Sequence, residues 1–336
     1  MNFLRPIPKS LQAAIILLFL VEITVRLQFQ ENMSGRFEYG FHPTAGFIEA
    51  RGKLHLKRTG GRRFRPQTMS LEPEKGVARI FVIGDSVVRG SSVESSYARK
   101  IAHELNEMGV GAESYNLGIG GHGARRTHLT LAQSLNYKPD LVILHINNSN
   151  EYEDEREYRR SQQFKSWHPR NWPMKSFALR RIYEIKTERF LWRWIPQSIR
   201  LQHAENDADA ELEASLSKEV LARWGEQVHE STLESVQAAL EKSIPILIIS
   251  QARIKDRAKA DWALTDNGLD ELAAKLAQKN SVFHLSMKSV FQDQDTESIY
   301  SDSSHLTQEG HTLLAQAVAK VLVRQGLVKV EKDAEP

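Results

Sequence analysis

Apolar residues recur along this chain with two different periods. Continuous runs occur at Ile80-Phe81-Val82-Ile83, Leu141 to Ile146, Ile246 to Ile249 and Val282 to Leu285. Runs of this length, bounded by turn residues, predict buried strands. Glu113 to Asn116 predicts a further short strand. Between them the spacing becomes helical. Tyr97, Ile101 and Leu105 share one face of a helix predicted over 95–109 and closed by Gly109. Leu129 and Leu135 mark another helix, 268–279 predicts a third, and Leu313, Leu314, Ala317 and Val321 a last one. Strands alternating with helices predict an α/β fold with a mainly parallel sheet covered on both faces. Such folds place their sites along the carboxyl edge of the sheet.

Two stretches break this alternation. Residues 153–243 are rich in Arg and Glu and contain Trp167, Trp172, Trp192, Trp194 and Trp224. They predict mainly helices, one ending before Pro196 and a long one from about 214 to 242. Ala204 to Ala214 reads as an acidic, mobile run. An insertion of this kind serves as a cap over a site or as an interaction surface. Its tryptophans either pack helices or stack on sugars.

The other stretch is the N-terminus. Leu11 to Leu27 is the most apolar segment and spans about 25 Å as a helix, slightly short of a hydrocarbon core. Glu22 and Arg26, four apart, can pair on one face. Arg5 and Lys9 precede the segment, and past Arg26 the next cations are Arg36 and Arg51, which favours a cytoplasmic N-terminus. No small-x-small cleavage site follows. An uncleaved membrane anchor is therefore expected, with a cleaved signal or a soluble amphipathic helix as the alternatives. Residues 28–77 carry little periodicity but hold Arg51, Lys53, Lys57, Arg58, Arg62, Arg63 and Arg65. They read as a solvated linker or hairpin, or as a surface for lipid headgroups or an acidic glycan. Alternation in Lys53-Leu54-His55-Leu56-Lys57 predicts a short strand. The expected organisation is a cytoplasmic end (1–10), an anchor (11–27), a basic pre-domain segment (28–77), an extracytoplasmic α/β domain (78–326) with its helical insertion (153–243), and a tail (327–336).

Composition narrows the function classes. A net charge of +3 over 336 residues gives no bulk case for nucleic-acid binding. With no cysteine, disulfides, thiol catalysis and thiolate metal sites are excluded.

The candidate chemistry sits at strand ends. The first run stops at Gly84-Asp85-Ser86, a turn that presents a hydroxyl at the sheet edge. Ser86 is the candidate nucleophile, and a serine needs a base and a group that holds the base. Asp302 and His305, three apart before the last helix, offer both. The alternative reading of this pair is a helix-capping carboxylate beside a surface histidine. Acyl transfer also needs donors for an oxyanion. Gly121, in the glycine-rich turn after the second strand, is one candidate. The side-chain amides of Asn147, Asn148 and Asn150 are others, each of which also suits a plain turn.

These blocks, in this order, resemble the SGNH (GDSL-type) hydrolase superfamily over roughly 78–151 and 245–325. Gly84-Asp85-Ser86 matches the nucleophile block, Asn116-Leu117-Gly118-Ile119-Gly120-Gly121 the Asn-x-Gly-x-x-Gly block, and Asp302-Ser303-Ser304-His305 the Asp-x-x-His block. The usual Gly-x-Asn-Asp block appears instead as Asn148-Ser149-Asn150-Glu151, and Asn150-Glu151-Tyr152 is similar to a version found in membrane-anchored members. The resemblance implies a three-layer α/β/α fold with a flavodoxin-like sheet. It implies ester hydrolysis through an acyl-enzyme, with Ser86 attacking, His305 moving the proton and Asp302 orienting His305. The oxyanion donors it implies are the Ser86 and Gly121 N–H groups and Asn150, with Asn148 second. It implies no metal or organic cofactor. The expected substrate is an O-acyl ester, such as an acetyl ester, of a glycan or envelope component. A polysaccharide O-acyltransferase and a catalytically silent envelope-binding protein are the alternatives.

One motif competes. Gly118-Ile119-Gly120-Gly121-His122-Gly123 also fits a dinucleotide fingerprint, with Asp140 at about the expected ~20-residue distance. Asp140 precedes its strand, however, where a ribose-binding acid would follow it. His122, His128, His145 and His168 lack metal-ligand spacing and read as ordinary core or surface histidines. Arg125 and Arg126 read as a solvated helix start or as an anion contact.

Overall fold

The computed structural model describes residues 8–29, 39, 44–59, 62–165, 167, 175–182, 201–256, 259 and 261–328. In chain order the elements are α1 (Lys9–Phe29), β1 (Phe47–Ala50), β2 (Lys53–Thr59), β3 (Arg62–Ser70), β4 (Ala78–Gly84), α2 (Ser86–Arg89), α3 (Tyr97–Glu107), β5 (Ala112–Gly118), α4 (Ala124–Ser134), β6 (Leu141–Ile146), α5 (Glu151–Lys165), α6 (Phe177–Ile182), α7 (Leu201–Ser215), α8 (Lys218–Glu241), β7 (Ile246–Ser250), β8 (Arg253–Asp256), β9 (Asp261–Thr265), α9 (Leu269–Leu276), β10 (Val282–Ser286), α10 (Met287–Phe291), α11 (Thr296–Ile299) and α12 (Gln308–Arg324). The chain divides into two units. One comprises Met1–Ala45, Thr59–Gly61 and Arg156–Ser215, and the other Gly46–Arg58, Arg62–Glu155 and Leu216–Pro336.

The larger unit is built on a five-stranded parallel sheet in the order β10-β7-β6-β4-β5. Taken by chain position this is 2-1-3-4-5, the flavodoxin-like order, with its switch point between β4 and β6. Side chains alternate across the strands. Ile80, Val82, Ile143, Leu247 and Ile249 pack under α3 and α12 on one face, and Phe81, Ile83, Val142, Leu144, Ile246 and Ile248 pack under α4, α8 and α9 on the other. The result is the α/β/α sandwich. Two helix faces differ from the sequence reading by about one position. In α4 and the 3-10 turn that follows it, Leu131 and Leu135 are buried while Leu129 is half-exposed. In α12 the buried face is Leu314, Ala315, Val318, Ala319 and Leu322 rather than Leu313, Ala317 and Val321.

The 28–77 stretch contains more than the single strand its alternation predicts. Strands β1, β2 and β3 form a sheet in which Phe47 pairs antiparallel with Leu56. Phe47, Leu54, Leu56, Phe64 and Met69 join the second core face. Phe47 stacks on Tyr137 at 5.5 Å and meets Phe64 edge-on at 5.0 Å. Arg62 is buried above the Phe47 ring, and burial holds its guanidinium down to about 10. The short ribbon of β8 and β9 follows β7.

In the smaller unit α1 is mostly apolar, with Glu22 and Arg26 as its charged residues past Lys9, a mean hydropathy of 1.9 over Lys9–Gln28 and none of it buried. It is one helix long and apolar enough to cross a membrane. The expected Glu22–Arg26 pair is present at 2.9 Å. Glu22 also accepts from the Phe177 and Ala178 N–H groups and from Ser176 Oγ, so it caps the start of α6. The acidic run read as mobile lies in helix α7. Ala208 and Leu212 are buried there, and Arg160 holds Asp209 through two hydrogen bonds of 2.8 and 2.6 Å. Trp172, Trp192, Trp194 and the helix expected before Pro196 lie outside the described residues.

Candidate active site

Strand β4 ends where the chain needs no side chain. A Cβ at Gly118, the partner of Gly84 in the sheet, would strike the Arg89 backbone nitrogen and lie 2.8 Å from the Val88 carbonyl carbon. The close approach of α2 to β5 therefore requires glycine there. Asp85 is the N-cap of α2. Its Oδ1 accepts from the Val87 N–H at 2.9 Å, and its buried Oδ2 accepts from the side-chain amides of Asn147 and Asn150. Asp85 thus braces the turn and ties it to the end of β6. Ser86, half-buried, opens α2.

His305 Nε2 lies 2.8 Å from Ser86 Oγ, and His305 Nδ1 lies 2.6 Å from Asp302 Oδ2. The other Asp302 oxygen accepts from the Ser304 and His305 N–H groups at 2.8 and 2.7 Å. Partial burial works to raise the Asp302 carboxyl. These two N–H donors and the imidazole outweigh it, and the carboxyl stays below its ordinary value. The loop is pinned from beneath: Ile254 N–H donates to the Ser303 carbonyl and Gln251 Nε2 to the Ser304 carbonyl, each at 3.0 Å.

After β5 the chain turns at Ile119-Gly120-Gly121-His122, closed by the His122 N–H on the Ile119 carbonyl at 3.3 Å. Gly121 has φ +75°, which suits the third position of a type II turn. A Cβ at Gly120 would lie 3.7 Å from the Ser86 Cβ, so this turn adjoins the serine. Asn116 holds the end of α2 by donating to the Val88 and Arg89 carbonyls. The three asparagines after β6 part company. Asn150 Nδ2 donates to Asp85 Oδ2 at 2.8 Å and to the His122 carbonyl at 3.3 Å. Asn147 also reaches Asp85. Asn148 turns away, accepting from Arg253 Nη2 at 2.9 Å and donating to the Asn267 carbonyl.

Beneath the serine runs a buried polar chain that the sequence reading did not single out. The Tyr97 hydroxyl donates to His145 Nδ1 at 2.8 Å, and His145 Nε2–H donates to Gln251 Oε1 at 2.6 Å. Gln251 Nε2 then donates to the Ala252 and Ser304 carbonyls. Only a neutral imidazole serves as acceptor at one nitrogen and donor at the other. Burial accordingly holds His145 below its ordinary value, although Asp85 and Gln251 oppose this. His311 stacks on Tyr97 and accepts from its N–H at 3.3 Å. Burial holds it down to about 4, with His145, Lys100 and His305 adding to the effect.

A second polar set supports the glycine turn. In the first turn of α5, Asp154 accepts from the Gly123 N–H and Glu151 from the Ala124 N–H, at 2.9 and 3.0 Å, and so they cap α4. Arg126 reaches Asp154 and also the Gly121 carbonyl. Burial, then Asp154, pushes the Glu151 carboxyl up to about 7. Asp140 lies at the amino edge of the sheet, where it accepts from the Arg79 N–H at 2.7 Å, at the opposite end of its strand from the glycine turn. His128 contacts Ser235 between helices. Among the described residues no group of three or more His, Asp or Glu comes together as a metal-ligand set. Two clefts open beside the site. One of about 370 Å³ is lined by Arg253, Lys255, Thr265 and Ser303, and one of about 320 Å³ by Asn148, His229, Asn267 and Leu272.

A serine, an imidazole and a carboxylate in one hydrogen-bonded line, beside a glycine turn, can activate a hydroxyl for attack on an ester. Residues 82–313 match the model of the GDSL-like lipase/acylhydrolase family. Similar solved structures include a GDSL-like lipase from Bacteroides thetaiotaomicron (12% identity, 76% of this chain and 90% of the other, TM-score 0.39). Others are an α/β hydrolase from the metagenome of Lake Arreo (16%, 75% and 96%, 0.43) and a catalytic mutant of an acetylxylan esterase from Geobacillus stearothermophilus (13%, 72% and 93%, 0.42). No curated protein matches the chain. Because the family model spans more than half of the sequence and takes in the Gly84-Asp85-Ser86 turn, the chain belongs to the GDSL-like lipase/acylhydrolase family and is a serine ester hydrolase.

Proposed function

We propose that Ser86 attacks the ester carbonyl, that His305 takes its proton and returns it to the leaving alcohol, and that Asp302 orients and stabilises the imidazolium. The observation that carries this reading is the Asp302–His305–Ser86 line of 2.6 and 2.8 Å. The Ser86 and Gly121 N–H groups, with the Asn150 amide, receive the oxyanion. Asn150 is chosen over Asn148 because its amide lies against Asp85, the residue next to Ser86, and its longer 3.3 Å bond to the His122 carbonyl is the one that gives way to the oxyanion, whereas Asn148 points toward Arg253 and Asn267. Water then resolves the acyl-enzyme. The substrate is an O-acyl ester, such as an acetyl ester, of a glycan or other envelope component. Residues 11–27 anchor the protein, with residues 1–10 cytoplasmic, residues 28–77 leading into the domain and the hydrolase domain, 78–326, on the far side of the membrane. Support for the anchor is the long, mostly apolar and unburied surface of α1, and for the orientation the cations Arg5 and Lys9 ahead of it.

The test is labelling by a fluorophosphonate probe together with turnover of a short-chain aryl ester, each compared with Ser86→Ala. Labelling of Ser86 and loss of turnover by at least about a thousandfold in the variant are expected. Equal turnover by both proteins would remove Ser86 from the mechanism. Acyl transfer to a sugar alcohol in preference to water would reassign the enzyme as an O-acyltransferase built on the same acyl-enzyme.

A further inference from the structure

Four arginines gather around the end of the short helix that carries the nucleophile. Arg89 lies three residues after Ser86 in α2, and helix residues three apart share a face. Arg65, from β3, donates to the Gly90 carbonyl at 2.7 Å, and Arg89 Nε donates to the Arg63 carbonyl at 3.2 Å. Arg58, from β2, stands within electrostatic reach. After burial, the charges of Arg65, Arg58 and Arg63 are what depress the Arg89 guanidinium. Among the described residues no carboxylate lies within ion-pair distance of any of the four. Arg253, by contrast, has a carboxylate, Asp85, in its electrostatic surroundings and donates to Asn148.

A structural role accounts for only part of the cluster. Arg65 satisfies a carbonyl at the end of α2, as a capping donor would, although its Nε is a buried donor without an acceptor. Arg58 and Arg63 are exposed and Arg89 is half-exposed, so their charges face solvent at the carboxyl edge of the sheet, where folds of this class bind ligands. Like charges held together without a counter-ion cost stability unless an anion joins them.

We propose that Arg58, Arg63 and Arg89, braced by Arg65, form a receptor for an anionic group (a carboxylate, sulfate or phosphate) carried by the ester substrate, within about one helical turn of Ser86. The inference rests on Ser86 being the nucleophile and adds the substrate's charge to that reading. Guanidinium groups suit such oxyanions because their N–H donors match the paired oxygens.

The test compares 4-acetoxybenzoate, whose carboxylate sits one aromatic ring from the ester, with its neutral methyl ester. Full-length protein in neutral detergent is assayed at low salt and at roughly 0.5 M salt. Wild type is expected to favour the anionic ester in kcat/KM, through KM, and to lose that preference as salt rises. In Arg58→Ala/Arg63→Ala and in Arg89→Gln the ratio of the two kcat/KM values falls about tenfold, while Arg89→Lys retains part of it. A ratio that is the same in wild type and variants, or insensitive to salt, overturns the proposal. So does loss of binding to phosphatidylglycerol vesicles in Arg58→Ala/Arg63→Ala with the ester ratio unchanged, since the cluster would then serve the membrane surface. If neither ester is turned over above Ser86→Ala, the nucleophile assignment has failed. The receptor is then judged by calorimetric titration with inorganic phosphate: saturable binding that is lost in Arg58→Ala/Arg63→Ala supports it, and equal heats overturn it.

Discussion

Replacing Gln251 by leucine isolates the buried chain beneath the serine. Gln251 is 1% exposed and His145 2% exposed, so water does not replace the hydrogen bond that His145 loses. The substitution strands the His145 Nε2–H, whose acceptor is Gln251 Oε1 at 2.6 Å, and the Ser304 carbonyl, which receives Gln251 Nε2 at 3.0 Å. The Ala252 carbonyl keeps the Tyr300 hydroxyl at 2.9 Å. Each stranded buried group costs about 1–3 kcal/mol. Ser304 is only half-buried and recovers part of that, which leaves a loss of about 3 kcal/mol. For a domain of this size that lowers Tm by about 6–12 °C. The Ser304 carbonyl immediately precedes His305, so freeing it also loosens the imidazole. At a temperature well below the variant's melting transition, kcat for a short aryl ester should fall about tenfold with KM little changed. Thermal melts followed by circular dichroism and initial-rate kinetics read both effects. A variant that melts within about 2 °C of wild type and keeps its kcat would refute the claim that this chain positions the triad loop.

Two further outcomes follow from the same geometry. Asp302→Asn should lower kcat by about a hundredfold or more. In the proposed mechanism Asp302 orients His305, so a kcat unchanged from wild type would argue against that role. Glu151 has a folded-state carboxyl raised from 4.5 to about 7, so the folded protein binds the extra proton and stability falls as pH rises from about 4.5 to 7. Glu151→Gln should therefore raise Tm at pH 8, by an effect on the order of 3 kcal/mol, with little change at pH 4; equal melting shifts at both pH values would contradict this.

The parallel strands and most helices were legible because each is a local pattern. Leu141 to Ile146 forms β6 with the boundaries its apolar run predicts, and the helix expected over 95–109 runs from Tyr97 to Glu107. The residues of the candidate triad were legible for a similar reason: Ser86 lies in the turn just past a strand's end, and Asp302 and His305 fit within one turn of chain. The first of the candidate oxyanion residues was equally local, since Gly121 sits in a glycine turn. By contrast, the choice among Asn147, Asn148 and Asn150 depends on Asp85, Arg253 and Asn267, which the sequence places far away.

What the sequence determined by itself was therefore the alternation of strand and helix, the apolar N-terminal helix and the identity of the residues at three strand or helix ends. The tertiary structure decided how distant segments share burial. It folded β1, β2 and β3 onto a core face through Phe47 and Phe64. It threaded Tyr97, His145 and Gln251 into one buried hydrogen-bond chain, capped α4 with Glu151 and Asp154, and set Arg58, Arg63 and Arg65 beside Arg89. Each of these depends on partners from separate elements meeting. A polar residue's sequence neighbours do not reveal which distant group will satisfy it once water is excluded.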